Sequence, residues 1–228
     1  MKFTSTLIKG KLIKRYKRFF VDIKVNNSIL TAHCPNTGSM MGLLDQGNDV
    51  WITKNDNPNR KLKFTIEMVK VDKNLVGVNT HRANRIVEHG LKNKLFKEFK
   101  LVKKIKPEFK FSSDTRFDFL CDKNIIEVKN VTLTRDKDIA EFPDAITARG
   151  SKHLIKLIDS KEKGYKPFVL FLTQIQGIKS FRIAKDIDKD YYQNYLAAKK
   201  AGVKFMAYRC ILNSKEIKIE KKIKIIDE

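Results

Sequence analysis

The amino-acid sequence predicts a mixed α+β protein, a small β-barrel followed by an α/β domain, on three observations. Short segments rich in Val, Ile, Phe and Thr follow one another through the first third, with turn residues between them. From about residue 82 helical periodicity appears and alternates with strand-like runs. The chain's 228 residues suit one large domain or two small ones, and 42% hydrophobic content is an ordinary globular share.

In chain order, strands are expected near 4–13, 18–25, 28–33, 49–53, 62–71 and 75–79. Turns separate them at Asn26-Asn27, Pro35-Asn36-Thr37-Gly38, Gln46-Gly47-Asn48 and Asn55 to Asn59. This spacing predicts an OB-like barrel. Such barrels bind nucleic-acid strands through basic and aromatic surface residues, a mixture that Arg15, Tyr16, Lys17, Arg18 and Phe19 supply. Tyr16 and Phe19 read equally well as core rings.

In the second part, 83–91 and 94–99 read as helical, with Ile86, Val87, Leu91, Leu95, Phe96 and Phe99 on one side. Strands at 116–121 and 125–131 precede a helix over 143–160, with Pro143 in its first turn and Ile146, Leu154, Leu157 and Ile158 as its apolar stripe. Strands follow at 168–173 and 179–184, then a helix at 189–200 that Gly202 ends, then a strand at 203–210. The alternating, lysine-rich tail 216–225 is expected at a sheet edge. The predicted domains are 1–81 and 82–228, closely packed because no Pro/Gly-rich linker parts them. Edge strands in the second domain leave a homodimer open.

Charge narrows the function. Lys and Arg number 48 against 26 Asp and Glu, a net charge of +22. AT-rich coding accounts for lysine over arginine, but not for so few acids, because self-repulsion opposes folding. A polyanionic partner that sheds its counterions accounts for both, which points to nucleic acid. An anionic membrane surface is the weaker reading, for no amphipathic anchor or lipidation signal is present. No run of 18 apolar residues and no signal-peptide pattern occurs, so a cytoplasmic protein that does not span a membrane is expected. Cys34, Cys121 and Cys210 and the four histidines lack disulfide or zinc spacing, and the cysteines read as reduced and structural.

The chemistry is concentrated in SSDTRFDFLCDKNIIEVKNVTL, residues 112–133. Two apart in a strand, Glu127 and Lys129 share a face roughly 7 Å apart. Asp118 lies on the preceding strand, with Asp122 to Asn124 as the expected turn; it joins that face if the hairpin loop holds two or four residues, and leaves it if the loop holds three, unless a bulge corrects it. Two carboxylates offer hard oxygens to Mg²⁺ or Mn²⁺, and a lysine beside them stabilises charge growing on a phosphate. By spacing alone, an exposed Glu–Lys pair is the simpler reading. Two features favour a site. Ile125, Ile126 and Val128 make the strand interior, where an unpaired charge is costly. Arg149, Lys152 and Lys156 recur at helical spacing, suited to phosphate contacts.

The blocks RYKRF (15–19), HCPNTGSM (33–40), GVNTHRANR (77–85), SSDTRFDF (112–119), EVKNVTL (127–133) and FPDAITARGSKHL (142–154) resemble the sugar fermentation stimulation protein A (SfsA) family over nearly the whole chain. The resemblance implies an OB-like N-terminal domain and a PD-(D/E)XK nuclease-like α/β domain. It also implies DNA binding and a link to regulation of sugar metabolism. Asp118 matches that nuclease motif's first metal-binding acid, and Glu127 and Lys129 match its second half. Glu88 and Glu108 compete for the further glutamate that relatives of the fold carry on their first core helix.

Around these, the turn Pro35 to Gly38, which includes Asn36 and Thr37, either presents amides to phosphate together with Ser39 or is a tight structural loop. Asn79, Arg82, Asn84 and Arg85 fall where the domains meet, as the floor of a DNA channel, with Asn84 alternatively capping the helix. Three functions stay in contention: a metal-dependent deoxyribonuclease, a non-catalytic DNA-binding regulator, and a protein of RNA. No helix-turn-helix or zinc-finger signature is present, so weak sequence specificity is expected.

Overall fold

The computed structural model describes residues 1–226. Residues 8–77 form a six-stranded sheet: β1 (Ile8–Tyr16), β2 (Phe20–Val25), β3 (Ser28–His33), β4 (Asp49–Lys54), β5 (Phe64–Val71) and β6 (Asn74–Gly77). The order is β3-β2-β1-β4-β5-β6, and a parallel β3–β5 pairing at Ala32↔Phe64 and His33↔Thr65 closes five of the strands into the OB barrel. Alternation drives this closure. Val21 and Ile23 of β2 point into the core while Phe20, Asp22 and Lys24 stay at the surface. At Gly10 a Cβ would lie 2.5 Å from Ile23 and 2.8 Å from the Lys24 carbonyl, so only glycine lets β1 cross β2 so closely.

The second domain opens with α1 (His81–Lys92) and builds one nine-stranded mixed sheet. Its strands are β7 (Ile105–Lys110), β8 (Arg116–Cys121), β9 (Asn124–Val131), β10 (Leu133–Asp136), β11 (Ile139–Phe142), β12 (Lys166–Thr173), β13 (Ser180–Ile183), β14 (Lys204–Leu212) and β15 (Ile217–Ile225). The order is β10-β11-β13-β15-β14-β12-β9-β8-β7, with β9, β12 and β14 parallel at the centre. Such strands are covered on both faces. Leu170 and Leu172 of β12 join Ile86, Val87 and Leu91 of α1, while Val169 and Phe171 join Leu154 and Leu157 of α2 (Ala148–Glu162) and Tyr191 and Tyr195 of α3 (Lys189–Lys200).

Several sequence expectations change. The 94–99 helix shrinks to one 3₁₀ turn, Lys97–Phe99, because α1 ends at Lys92 and Lys94 takes a left-handed φ of 56°. Strand β7 and the β10–β11 hairpin add to the elements that the sequence pattern predicts. Helix α2 starts at Ala148 rather than at 143, because Thr147 caps it by accepting the Gly150 N–H. Pro143 stands outside it after a cis Phe142–Pro143 bond, and Ile146 lies in the intervening loop, 81% exposed rather than in the stripe. The tail strand β15 lies inside the sheet between β13 and β14, although only Ser180↔Lys224 and Phe181↔Ile225 join it to β13. The edges are β7 and β10.

The two sheets meet along a hydrogen-bonded seam. The Gly77 N–H donates to the Gln174 carbonyl, the Gln176 N–H to Leu75, and Val76 bridges Ile175. Glu67 of β5, 1% exposed, accepts two bonds from the Arg82 guanidinium of α1 and others from Thr53 and Asn79. No helix among the described residues is long and apolar enough to cross a membrane. The thiols of Cys34, Cys121 and Cys210 are free and buried.

Candidate functional site

The β8–β9 hairpin decides where the acids stand. Cys121 pairs with Asn124, so the loop is the two residues Asp122 and Lys123, with Asp122 at φ 52°, and Asn124 opens β9 instead of closing the turn that the sequence pattern suggests. That count puts Asp118 at the register position opposite Glu127, the case in which the two acids converge. The ladder itself stops at Phe119↔Ile126. Beyond it the Asp118 carboxylate replaces backbone pairing: Oδ2 accepts the Val128 N–H at 2.7 Å, and Oδ1 accepts from Asn84 Nδ2 of α1 at 2.7 Å.

Glu127 is 4% exposed, and its Oε1 receives both Lys129 Nζ at 2.7 Å and His153 Nδ1 of α2 at 2.5 Å. Its Oε2 is buried with no hydrogen-bond partner among the described residues. Burial and the neighbouring Glu127 charge push the Asp118 carboxyl up to about 7. For Glu127 burial works against ionisation, but Lys129 and His153 outweigh it and hold the group below the usual carboxylate range. The pair therefore favours one negative charge at neutral pH and has room for a second once a cation arrives.

Both acids and Lys129 line a cleft of about 760 Å³ between the domains. The barrel contributes Arg18, Asn36 and Thr37, and the second domain Asn84, Arg85 and Arg149. Other sequence candidates lie elsewhere. Arg15 donates to the carbonyls of Arg18, Asn36, Gly38 and Ser39, so its guanidinium holds the loop. The Tyr16 hydroxyl donates to Asp22 and its ring stacks on Phe20, while Phe19 is 45% exposed; neither ring is in the core. Lys17 occupies a turn at φ 47°. Ser39 Oγ accepts the Met41 N–H, Arg82 is bound to Glu67, and Lys152 pairs with Asp114 beside a neighbouring groove.

The loop at 36–40 uses its amides internally. The Gly38 N–H donates to Asn36 Oδ1 and the Met40 N–H to Asp144 Oδ2 of the second domain. A Cβ at Gly38 would stand 2.2 Å from that same Asp144 oxygen. These contacts favour the structural reading of the loop over a phosphate cradle.

Asn84 lies one turn into α1 and is no cap; Thr80 holds the N-cap position. Glu88 pairs with Lys92 and does not line the cleft. Glu108 does line it, at the β7 register position opposite Asp118, with φ 51° and Arg116 3.7 Å away. Sequence reasoning missed His153. Its signal was a histidine four residues after Arg149, next to the Leu154 of the buried stripe.

Two family models match the chain: the SfsA N-terminal OB domain over residues 13–78, and the sugar fermentation stimulation protein RE domain over residues 81–216. The sugar fermentation stimulation protein homolog of Pelagibacter ubique is 64% identical over 231 residues, covering all of both chains. That of Marinomonas sp. is 40% identical over 99% of this chain and 90% of its own. The solved structure of Pyrococcus furiosus SfsA in complex with Ca²⁺ superposes with a TM-score of 0.90, over 100% of this chain and 98% of that one, at 21% sequence identity. At that identity the likeness speaks for the fold. On the two matched domains and these relatives, the chain belongs to the sugar fermentation stimulation protein (SfsA) family.

Proposed function

We propose that the chain binds DNA and hydrolyses its phosphodiester bonds with Mg²⁺ or Mn²⁺, through Asp118, Glu127 and Lys129 of a PD-(D/E)XK nuclease-like domain. One observation carries the reading: two convergent carboxylates in a cleft that Arg18, Arg85, Lys129 and Arg149 also line, with Glu127 Oε2 buried and unpartnered. Such an orphan oxygen beside an acid pushed up to about 7 fits a divalent cation, whose arrival satisfies the one and ionises the other.

Asp118 and Glu127 would hold that ion. No third His, Cys, Asp or Glu joins them in a metal-holding group among the described residues, which suits an ion that keeps water and phosphate oxygens in its shell. The cation supplies Lewis-acid polarisation of the phosphate and lowers the pKa of water. The Pyrococcus relative is solved in complex with Ca²⁺, which supports a divalent cation in this fold.

The protein's own groups do the rest. Asn84 and the Val128 N–H orient Asp118, and His153 fixes Glu127. Lys129 offsets charge growing on the phosphate. Arg18, Arg85 and Arg149 bind flanking phosphates, giving weakly sequence-specific binding with a steep salt dependence.

A second reading, a non-catalytic DNA-binding regulator, is favoured by α1 presenting Asn84 rather than an acid to Asp118. One experiment separates them. Single-stranded, duplex and branched DNA are incubated with the protein in Mg²⁺, Mn²⁺ or EDTA, beside an Asp118→Asn/Glu127→Gln variant. Metal-dependent cleavage that the variant loses while still binding supports the enzyme. Binding without cleavage of any substrate supports the regulator.

A further inference from the structure

Two features adjoin the cleft that holds the acids. Ile146 stands 81% exposed at the rim of the acid cleft, in the loop that carries the chain from Pro143 to α2. A second groove, of about 540 Å³, opens on the other side of the first turn of α2. Lys110, Arg116, Arg149 and Lys152 line it against the single acid Asp114. Arg149 lines both spaces, and His153 reaches from the groove wall to Glu127. The groove and the cleft thus meet at Arg149 as one path past the first turn of α2, cationic on the groove side. Its ion pairs, Lys152–Asp114 at 2.9 Å and Arg116–Glu108 at 3.7 Å, are exposed and yield readily to a phosphate.

We infer that this path holds an unpaired DNA strand, with a base covering Ile146, one phosphate on Arg149, and the following phosphates on Lys110, Arg116 and Lys152. The inference rests on the DNA reading above and adds the form of the substrate. A lone exposed isoleucine is ordinary at a protein surface. This one is three residues from an arginine of the acid cleft, so a nucleotide that meets the guanidinium through its phosphate brings its base to the side chain. In a duplex the base faces are stacked and turned inward, and apolar side chains meet them only by prising steps apart. An unpaired strand offers them freely. The depth of Glu127, 4% exposed, also favours a thin flexible strand over a rigid duplex.

Fluorescence anisotropy in EDTA, with a fluorescein-labelled 20-nucleotide oligothymidylate and a 20-base-pair duplex, tests this without any need for cleavage. The expected result is at least a tenfold preference for the single strand. Ile146→Ser should weaken that binding about three- to tenfold with the salt slope unchanged. Lys110→Ala/Arg116→Ala should lower the slope by roughly 1.4, about 0.7 for each phosphate left without its cation. All three side chains are exposed, so the variants keep the fold, and unchanged melting temperatures check it. Equal or tighter duplex binding, or an Ile146→Ser variant that binds as well as the parent, overturns the inference. Single-strand preference in a protein that cuts nothing would leave the inference standing and refute the hydrolase. Cleavage without that preference would do the reverse.

Discussion

The carboxylate of Asp118 accepts the backbone N–H of Val128 at 2.7 Å, at the point where strands β8 and β9 stop pairing. The first acid is thereby tied to the peptide between the second acid and the lysine. Main chain holds only Asp118 Oδ2; Glu127 and Lys129 hold each other, with His153 behind Glu127.

The charge of Asp118 gives a pH signature in the absence of metal. Its folded value, about 7, lies above the ordinary 3.8. Folded protein therefore holds a proton that the unfolded chain has released, and stability falls as pH rises through this interval. The contribution is fully present below 3.8 and lost above about 7. Melting temperatures in EDTA should show Asp118→Asn losing less stability than the parent across that window. At pH 8, Mn²⁺ should raise the melting temperature of the parent and leave that of Asp118→Asn nearly unmoved.

His153 should matter to the cation without touching it. Removing the imidazole frees Glu127 Oε1 from one of its two partners. Titration calorimetry with Mn²⁺ should find His153→Ala weaker by about 10- to 100-fold, the usual cost of losing an orienting group. His153→Asn, which keeps a donor, should recover part of that. Equal affinity in all three proteins would show that Glu127 needs no such support.

Arg82 should be a stability residue. Taking it away leaves Glu67 buried, with only Thr53 and Asn79 as side-chain partners. Arg82→Ala should cost about 3–5 kcal/mol in urea denaturation, and Arg82→Ala/Glu67→Gln clearly less. The salt slope of DNA binding should be that of the parent.

Gly38→Ala should disturb the join between barrel and sheet domain, since its Cβ would stand 2.2 Å from Asp144 Oδ2. A loss of about 1–3 kcal/mol is expected. Asp144→Ala should relieve it in a double-mutant cycle, giving a coupling that independent sites lack.

How much of this was legible depended on whether the deciding contact was local. The register of Asp118 against Glu127 was only half legible: the polar run Asp122 to Asn124 reads as a three-residue turn, but Asn124 pairs with Cys121 and belongs to β9, and that pairing leaves no local mark. The barrel follows from alternation. Strand β7 was invisible because IKPEFK, on a sheet edge, carries charge and proline where a buried strand would show apolar side chains. The β10–β11 hairpin was hidden because its buried Glu141 is matched by Arg135 and Arg182, so a polar stretch forms packed structure. Pro143 pointed to a helix start, but Thr147 provides the cap. At the site, the basic run 15–18 reads as one surface. The carbonyls that bind Arg15 lie mostly 21 to 24 residues away, and no local pattern reports them.

The seam through Gly77, Gln174, Val76 and Ile175 joins the end of the barrel to the second sheet by main-chain bonds on both sides of the junction. A junction of that kind is held by backbone pairing instead of a free linker. On the proposed DNA reading, a cleft walled by two sheets so joined would select its substrate by gauge, admitting a strand that can be threaded instead of closing jaws around one.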